Sequence, residues 1–246
     1  MQGVLTTIEK IARSTMSVMV IGEHGSGKEW AARAIHKLSN CSAGPLIVVD
    51  CPALSLQDVE KEIFGHEAIT SAGIEMKRGV FEAANGGTLV LDEIASLPTP
   101  VQLRIARTVE YNSTRRVGGD EDIPVSVRVV ATMSQQPETL VSDEILRKEL
   151  FYRISSVVVT LPPLRARRED IPSLVDEFLQ ELRTRPDTGV RGISNEALDL
   201  CVGYDWPGNV RHLRNAIEFA TVMCGNDVIQ PEHLPTYIRA NHRTIR

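Results

Sequence analysis

The stretch Gly22-Glu23-His24-Gly25-Ser26-Gly27-Lys28 decides the fold of this chain. It follows an apolar run at residues 17–21 and precedes a helical pattern at residues 29–38. A strand, a glycine-rich loop and a helix in this order cradle a phosphate group, because backbone N–H groups and the helix N-terminus face the anion and Lys28 adds a positive charge. The spacing G-x-x-x-x-G-K therefore predicts nucleotide binding, although Glu29 stands where Ser or Thr usually helps to hold Mg²⁺.

Composition limits the classes of protein that this chain can represent. It has 246 residues, a net charge of −5 and 42% hydrophobic residues, which suits one large domain or two small ones. The mild acidity gives no general attraction to nucleic acid, and the basic tail Arg239–Arg246 fits a solvated tail equally well. Residues 1–10 do not resemble a signal peptide, and no apolar run approaches the roughly 20 residues of a membrane span.

Cysteine usage favours a reducing compartment. The four cysteines are scattered without metal-ligand spacing, which indicates buried or incidental thiols. We therefore expect a cytoplasmic protein that does not enter a membrane. The cysteines are Cys41, Cys51, Cys201 and Cys224.

Five short β-branched runs alternate with helical patterns in the first two thirds of the chain. The runs are almost continuously apolar, as strands buried on both faces of a parallel sheet should be. The predicted strands are Ser17–Ile21, Leu46–Asp50, Thr88–Leu91, Val127–Ala131 and Val157–Leu161. The predicted helices are Glu29–Leu38, Ser55–Phe64, Pro100–Tyr111 and Pro137–Arg153. This alternation predicts a doubly wound α/β layer that binds its ligand beyond the carboxyl ends of the strands.

The pattern changes after Leu161. Pro162–Arg165 favours a linker, and only helices are predicted beyond it. These helices are Ile171–Leu182, Asn195–Val202 with Ser194 as N-cap, Val210–Met223 with Asn209 as N-cap, and a short helix beginning near Pro231. We therefore expect an α/β domain at residues 1–165 and a small helical domain with a tail at residues 166–246.

Two acids end the third predicted strand. Asp92 is placed to hold Mg²⁺ directly or through water, and Glu93 to orient the water that attacks a γ-phosphate. The pair Asp-Glu after a strand is common by chance, so the alternative is a solvated strand end. The glycine-rich loop upstream in the same α/β pattern favours the functional interpretation.

Together these residues resemble the AAA+ ATPase domain of bacterial enhancer-binding proteins, the activators of sigma-54 RNA polymerase. The resemblance runs from about Val4 to Leu234 and covers several motifs in the family's order. The matching segments are Gly22–Glu29, Phe64–Glu67, Gly79–Leu89, Arg116–Gly119, Leu161–Arg165 and Trp206–Arg211. The resemblance implies a five-stranded parallel P-loop sheet with helices on both faces, followed by a small all-α lid.

The resemblance also implies roles for the residues around the loop. Gly22–Glu29 corresponds to the family's ATP-binding loop, in which Glu after the Lys is usual. Lys28 would contact the β- and γ-phosphates, and Glu29 and Asp92 would serve the Mg²⁺ site. Glu93 would prepare the attacking water. Ser134 falls at the position that senses the γ-phosphate, where the family usually has Asn.

Three arginines receive roles from the resemblance alone. Arg147 and Arg153 match the family's arginine-finger segment and would reach the nucleotide of a neighbouring subunit, whereas Arg211 in the lid would act on the nucleotide of its own subunit. The residues by themselves indicate only charged helix faces. Asp50 occupies a position where the family often has an Asn that hydrogen-bonds the catalytic Glu; an ionised Asp cannot donate such a bond. A capped strand end is the alternative for Asp50.

One family loop departs from its pattern here. The family's polymerase-contacting loop reads Gly-Ala-Phe-Thr-Gly-Ala, and the corresponding stretch of this chain is Glu67–Ile74. Thr70 and Ala72 are possible remnants, but the aromatic residue is gone. Loss of an apolar anchor usually removes much of a contact's energy, so contact with sigma-54 is expected to be weakened; Ile69 in place of the aromatic would give a weak contact.

The first hypothesis is a Mg²⁺-dependent ATPase domain of a sigma-54-type transcriptional regulator. By resemblance it forms a ring, expected to be a hexamer, that couples hydrolysis to remodelling of the polymerase or another partner. The alternative is an ATP-sensing assembly module that no longer remodels sigma-54 polymerase. An unrelated P-loop enzyme, such as a small-molecule kinase, would leave the segment Trp206–Arg211 unexplained. About a dozen residues follow Leu234, too few for a helix-turn-helix, so DNA contact is expected only through a domain absent from this chain.

Overall fold

The protein is described here by a computed structural model that covers residues 2–70, 73–185, 189–225 and 227–241. The chain forms two compact units. The α/β unit comprises Gln2–Gly22 and Lys28–Leu161, and the loop–lid unit comprises Glu23–Gly27 and Pro162–Arg246. Ser71, Ala72 and the last five residues of the basic tail lie outside the described residues.

The helices and strands have the following bounds. The helices are α1 (Gln2–Ala12), α2 (Lys28–Lys37), α3 (Val59–Phe64), α4 (Val80–Ala83), α5 (Thr99–Tyr111), α6 (Pro137–Ser142), α7 (Lys148–Ile154), α8 (Ile171–Arg183), α9 (Asn195–Gly203), α10 (Asn209–Cys224) and α11 (Thr236–Asn241). The strands are β1 (Val18–Ile21), β2 (Leu46–Asp50), β3 (Gly65–Thr70), β4 (Gly73–Arg78), β5 (Thr88–Asp92), β6 (Ser113–Thr114), β7 (Ile123–Pro124), β8 (Arg128–Met133), β9 (Val157–Thr160), β10 (Gly192–Ile193) and β11 (Val228–Ile229).

A parallel sheet of five strands forms the centre of the α/β unit, in the order β2-β5-β8-β1-β9. Every residue of β1 and β8 is buried, which explains why these strands are apolar along almost their whole length. Helices α1 and α2 pack on one face, and α5 and α7 pack on the other. The predicted sheet and strand set are thus confirmed. The strand order places the ends of β1 and β5 on either side of β8.

Several local predictions for the α/β unit are wrong. The predicted helix Pro137–Arg153 is two helices, because Glu144 has a left-handed backbone (φ 58°) and the amides of Ile145 and Leu146 both donate to the carbonyl of Leu140. Helix α1 and the antiparallel pairs β3–β4 and β6–β7 have no counterpart among the predicted elements. Tertiary pairing rather than local periodicity determines these features.

The lid segment, Pro162–Arg246, has its own apolar core around α8, α9 and α10. The predicted cap of α9 is confirmed, since Ser194 Oγ accepts a hydrogen bond from the amide of Ala197. Asn209 is not the N-cap of α10; Gly208 holds that position and the Asn209 side chain bonds elsewhere. The expectation of helices alone is also wrong in one detail, because β10 and β11 form a short parallel pair.

Trp206 anchors this lid core, and its truncation should destabilise the lid. The side chain is fully buried, and its indole Nε1 donates to the carbonyl of Cys201 at 2.7 Å. We expect Trp206→Ala to lower the free energy of unfolding by about 3–5 kcal/mol, because it leaves a cavity and an unpaired carbonyl. Chemical denaturation followed by circular dichroism measures the change. Val222→Ala, at an 80% exposed position, is the matched control and should change it by less than about 0.5 kcal/mol.

Candidate functional site

Lys28 lies at the carboxyl edge of the sheet, where the loop after β1 enters α2. The amide of Gly22 donates to the carbonyl of Met133, which ties the end of β1 to the end of β8. Lys28 Nζ donates to the carbonyl of Gly22 at 2.9 Å and to Ser134 Oγ at 2.8 Å. Its side chain is only 7% exposed, so the ammonium group is held in one place on the α/β unit.

Glu93 compensates the charge of Lys28. Lys28 Nζ lies 3.0 Å from Glu93 Oε1, and Ser134 binds both carboxylate oxygens: its amide donates to Oε2 at 3.1 Å and its hydroxyl donates to Oε1. The structure therefore brings together three of the predicted residues: Lys28 from the start of α2, Glu93 directly after β5 and Ser134 directly after β8. A nearly buried cation, a carboxylate and a hydroxyl form one closed network there.

The backbone around the acidic pair is constrained. Glu93 has a left-handed conformation with φ 56°, which a non-glycine residue adopts only where its surroundings enforce it. Thr132, fully buried on β8, accepts a hydrogen bond from the Glu93 amide at 3.1 Å and donates to Asp92 Oδ1. Thr132 thus orients the Asp92 carboxylate and holds the Glu93 backbone, a role that the sequence pattern alone does not reveal.

Asp50 stands at the position where the family often has an asparagine, but its side chain is exposed. It lies exposed at the end of β2, where its backbone pairs in register with Asp92. Burial raises the pKa of the neighbouring Cys51 thiol far above its usual range, and the negative charges of Asp92 and Asp50 raise it further. Ser134 makes the hydrogen bonds to Glu93 that the family assigns to the Asn at the position of Asp50.

The carboxylates at the strand ends fit a Mg²⁺ site of the kind that substrate phosphates complete. Among the described residues, no cluster of three or more His, Cys, Asp or Glu could hold a metal ion unaided. Mg²⁺ usually takes only one or two protein carboxylates and fills its other positions with water and phosphate oxygens. Asp92 suits this role. Glu29 is half exposed, and its Oε1 accepts from Arg33 Nε at 2.9 Å and Nη2 at 2.7 Å.

The other predicted loop residues belong to the loop–lid unit. Arg165 forms two hydrogen bonds to Glu23, and Asn209 Nδ2 donates to Glu23 Oε2 and to the carbonyl of His24. Arg211 is exposed on α10, and its backbone amide donates to the carbonyl of Gly25. The sequence motifs include these residues but give no sign of their pairing.

Arg147 and Arg153 lie at opposite ends of α7. Arg147 precedes the helix, and its amide donates to the fully buried Gln102 side chain, which also donates to the carbonyl of Ile145. Its guanidinium is partly exposed, with Nε 3.7 Å from Glu149 Oε2. Arg153, in the last turn, pairs with Glu110 at 2.5 Å.

Arg116 joins three segments around the loop that departs from the family pattern. Its guanidinium binds both oxygens of Glu82, at 2.6 and 2.9 Å, and Glu67 Oε1 at 2.7 Å, and only 12% of its side chain is exposed. Backbone hydrogen bonds link Val117 to Gly65 and to Glu67 at the base of the β3–β4 hairpin. The sequence marks Arg116–Gly119 as a motif, but the acids that bind the arginine are missed, because they are distant in sequence.

These features define a P-loop nucleotide-binding fold of the AAA+ type with a helical lid. The model of the sigma-54 interaction domain matches residues 1–160, and that of the AAA+ ATPase lid domain matches residues 165–245. The chain therefore belongs to the sigma-54 interaction domain family. No helix in the described part of the chain is long and apolar enough to cross a bilayer.

Curated relatives are transcriptional regulators about twice as long as this chain. The transcriptional regulatory protein ZraR of Salmonella typhimurium is 41% identical over 241 residues, which are 98% of this chain and 55% of ZraR. The regulatory protein AtoC of Escherichia coli K12 is 41% identical over 231 residues, 94% of this chain and 50% of AtoC. The chain thus spans about half the length of the curated relatives that it matches.

Solved structures agree with the fold. NtrX from Brucella abortus superposes with a TM-score of 0.88 at 35% identity, covering 96% of this chain and 54% of NtrX. The same protein has been solved in complex with ADP (TM-score 0.87, 34% identity) and with ATP (TM-score 0.88, 35% identity). A closed-state reconstruction of Hsp104 shares the fold, with a TM-score of 0.67 at 21% identity over 89% of this chain and 43% of that chain.

Removal of Arg116 should loosen the base of the β3–β4 hairpin. Arg116→Ala leaves two poorly exposed carboxylates, Glu67 and Glu82, without their shared cation, so their like charges are no longer compensated and the contact that they make with Arg116 is lost. We expect faster hydrogen exchange at the amides of Glu67 and Val117, measured by mass spectrometry. Arg107→Ala, at an exposed position on α5, is the control. Unchanged exchange at both amides in Arg116→Ala would show that the ion pairs do not hold the hairpin.

Proposed function

We propose that this chain binds ATP and hydrolyses it to ADP and phosphate, as the motor domain of a sigma-54-type transcriptional regulator. The network of Lys28, Glu93 and Ser134 carries the proposal, because it unites a phosphate-binding cation with a base placed to activate water. The ADP and ATP complexes of the homologous NtrX support it. We also propose the division into an α/β domain, residues 1–165, and a lid domain, residues 166–246.

The phosphate groups of ATP are held by the loop and by Lys28. The loop supplies backbone N–H groups other than those of Gly22 and Ser26, which donate to the carbonyls of Met133 and Glu23. Helix α2 begins at Lys28, so its N-terminal dipole adds to the positive potential. Lys28 donates to Gly22 and Ser134 and pairs with Glu93. The triphosphate is a stronger counter-anion, so binding shifts Lys28 toward the β- and γ-phosphates and releases Glu93 for chemistry.

Asp92 and Glu29 are the residues that would hold Mg²⁺, which supplies neutralisation of charge on the phosphate oxygens when bound. Asp92 is oriented by Thr132, and Glu29 would exchange its exposed pair with Arg33 for this role. An exposed ion pair of this kind is worth little, so that exchange costs less than about 1 kcal/mol.

Glu93 prepares the attacking water. Its carboxylate accepts a proton from the water as the water oxygen bonds to the γ-phosphorus, and the bond from that phosphorus to the bridging oxygen breaks to release ADP. Ser134 fixes the carboxylate through two hydrogen bonds, one from its amide and one from its hydroxyl. We propose that Ser134 therefore both senses the γ-phosphate through Lys28 and restrains Glu93.

Positive charge from arginines completes the site. We propose that Arg147, which precedes α7, and Arg153, in its last turn, act on the nucleotide of a neighbouring subunit, and that Arg211 acts on the nucleotide of its own subunit. Gln102 supports this role for Arg147, because it fixes the Arg147 backbone while leaving the guanidinium partly exposed. An arginine supplied by a neighbouring subunit stabilises the negative charge of the transition state of phosphoryl transfer, which typically raises the rate about 10³–10⁵-fold.

We propose that the subunits assemble as a ring, by family resemblance a hexamer, which couples hydrolysis to remodelling of sigma-54 polymerase. The β3–β4 hairpin includes the stretch that resembles the family's polymerase-contacting loop, and Arg116 binds Glu67 at its base. The tip lacks the family's aromatic residue, so we propose a weakened contact with sigma-54. Contact with DNA would come through a further domain.

Glu93→Gln should separate binding from hydrolysis. The amide keeps the shape of the side chain but cannot accept the proton, so the hydrolysis rate should fall about 100-fold or more. Binding of ATP should persist, because Lys28 and the loop remain. Single-turnover release of radioactive phosphate measures the rate, and equilibrium dialysis measures binding.

Glu138→Gln, at an exposed position on α6, is the matched control and should behave like the native chain. If Glu93→Gln hydrolyses ATP at the native rate, Glu93 does not prepare the water.

Mixing two inactive variants tests the action of Arg147 in trans. Lys28→Ala lacks the phosphate site but keeps the arginine, and Arg147→Ala lacks the arginine but keeps the phosphate site. Each alone should be nearly inactive, whereas a mixture should recover ATPase activity at interfaces that combine the intact halves. The steady-state rate at saturating protein concentration is the measurement.

Lys148→Ala, beside Arg147 and exposed, serves as the control and should retain native activity alone. Activity of Arg147→Ala equal to native would refute the proposed role in trans, as would a mixture no more active than its components.

A further inference from the structure

Four consecutive loop residues, Glu23–Ser26, are each bonded to the lid segment within the loop–lid unit. Glu23 binds Arg165 and Asn209, and the carbonyl of His24 accepts from Asn209. The carbonyl of Gly25 accepts from the backbone amides of residues 210 and 211 at 2.9 and 3.3 Å, and the carbonyl of Ser26 accepts from Arg167 Nη2 at 2.7 Å. The lid segment thus donates hydrogen bonds to three consecutive carbonyl groups of the phosphate-binding loop, those of His24, Gly25 and Ser26.

Asn209 is the centre of this contact. It is fully buried, and its backbone has a left-handed conformation with φ 52°. Its Oδ1 accepts from the amide of Leu164 at 2.7 Å, while Nδ2 donates to Glu23 and His24, each at 3.1 Å. Both the oxygen and the nitrogen of this buried side-chain amide are hydrogen-bonded. Asn209 therefore links the start of α10 to the segment at Leu164 and to the loop at Glu23 and His24.

Arg165 and Arg167 bind the loop on either side of Asn209. Arg165 Nη1 and Nη2 bind the two Glu23 oxygens at 2.8 and 2.5 Å, and these hydrogen bonds, followed by that from Asn209, lower the pKa of Glu23 to about 2. Glu23 therefore stays ionised at all physiological pH values. Arg167 is 4% exposed and reaches the carbonyl of Ser26 from the buried side.

Gly25 shows how closely the two segments approach. Its φ is +74°, and a Cβ atom at this position would lie 2.4 Å from the carbonyl oxygen of Gly208 and 3.1 Å from Arg211 Cβ. No side chain fits there without displacing backbone. The G-x-x-x-x-G-K pattern does not require glycine at this position, so contact with the lid segment explains why glycine is present.

We propose that Asn209, Arg165 and Arg167 are positioning residues for the nucleotide site, which hold the phosphate-binding loop in its binding conformation by occupying its carbonyl groups. The inference rests on the proposed function, since it concerns the same loop. If a glycine-rich loop becomes ordered only when the ligand binds, the loss of its conformational entropy weakens binding. A loop that is already ordered does not incur this cost. These bonds engage carbonyl groups of the loop and none of its N–H groups, so they do not compete with phosphate for those donors.

The proposal assigns a different effect to these residues from that of Lys28. Lys28 contacts phosphate, so its loss removes an interaction with the ligand. Asn209, Arg165 and Arg167 act through the loop, so their loss should be visible in the protein without nucleotide. Hydrogen exchange at the loop amides of residues 23–27, measured without nucleotide, therefore distinguishes the two roles. Mutation of a residue that contacts only the ligand would leave this exchange unchanged.

The experiment compares Asn209→Ala, Arg165→Ala and Glu23→Gln with the native chain. Exchange at residues 23–27 without nucleotide should rise about tenfold or more in Asn209→Ala, whose side chain is buried, and about two- to fivefold in Arg165→Ala and Glu23→Gln, whose ion pair is exposed. The dissociation constant for a fluorescent ATP analogue should rise by similar factors. Asn215→Ala, at an exposed position on the same helix α10, is the matched control and should change neither. Arg165 and Glu23 are each more than 40% exposed, so their variants should fold even if Asn209→Ala does not.

The outcomes separate this inference from the proposed function. If the native chain does not bind the analogue, the proposed function fails. If it binds, but Arg165→Ala and Glu23→Gln show native exchange and native affinity, the positioning role fails. Faster exchange with unchanged affinity would also overturn it, because the loop would then bind phosphate equally well without the lid contacts.

Discussion

A nearly buried ammonium group governs the arrangement at the carboxyl edge of the sheet. Lys28 is 7% exposed, and a cation removed from water must have an anion beside it. Glu93 is that anion, and Ser134 bridges the two side chains. The strand order makes this possible, because β8 lies between β1 and β5 and brings Ser134 between the lysine and the glutamate. Under the proposed function, phosphate and the Glu93 carboxylate compete for this one cation, and this competition would connect nucleotide binding with the state of Glu93.

The sequence predicted the sheet well for a physical reason. Strands that are buried on both faces must be apolar along their whole length, so β1, β5 and β8 stand out from the chain. The edge strands β2 and β9 are only partly buried, and their runs of β-branched residues mark them. The sequence does not predict features that depend on partners distant in the chain. The break between α6 and α7 depends on hydrogen bonds to Leu140 and on the Gln102 side chain, and the β3–β4 hairpin depends on pairing between strands.

The candidate site was predictable in residue types but not in pairings. The G-x-x-x-x-G-K spacing and the Asp-Glu pair identify Lys28, Asp92 and Glu93, because these chemical groups must follow strands of one sheet. Nothing in the sequence indicates that Ser134 binds both oxygens of Glu93. Asn209 has the residue type of a helix cap, yet its side chain serves the phosphate-binding loop, a contact that depends on residues 186 positions earlier in the chain.

Calorimetric titration of Mg²⁺-ATP into the native chain and into Lys28→Met tests the central claim most directly. The account predicts one ATP bound per native chain, and binding at least about tenfold weaker in the variant, because methionine keeps the side-chain length but removes the charge shared between Glu93 and phosphate. A native chain that binds no ATP, or a variant that binds it with native affinity, would contradict the account.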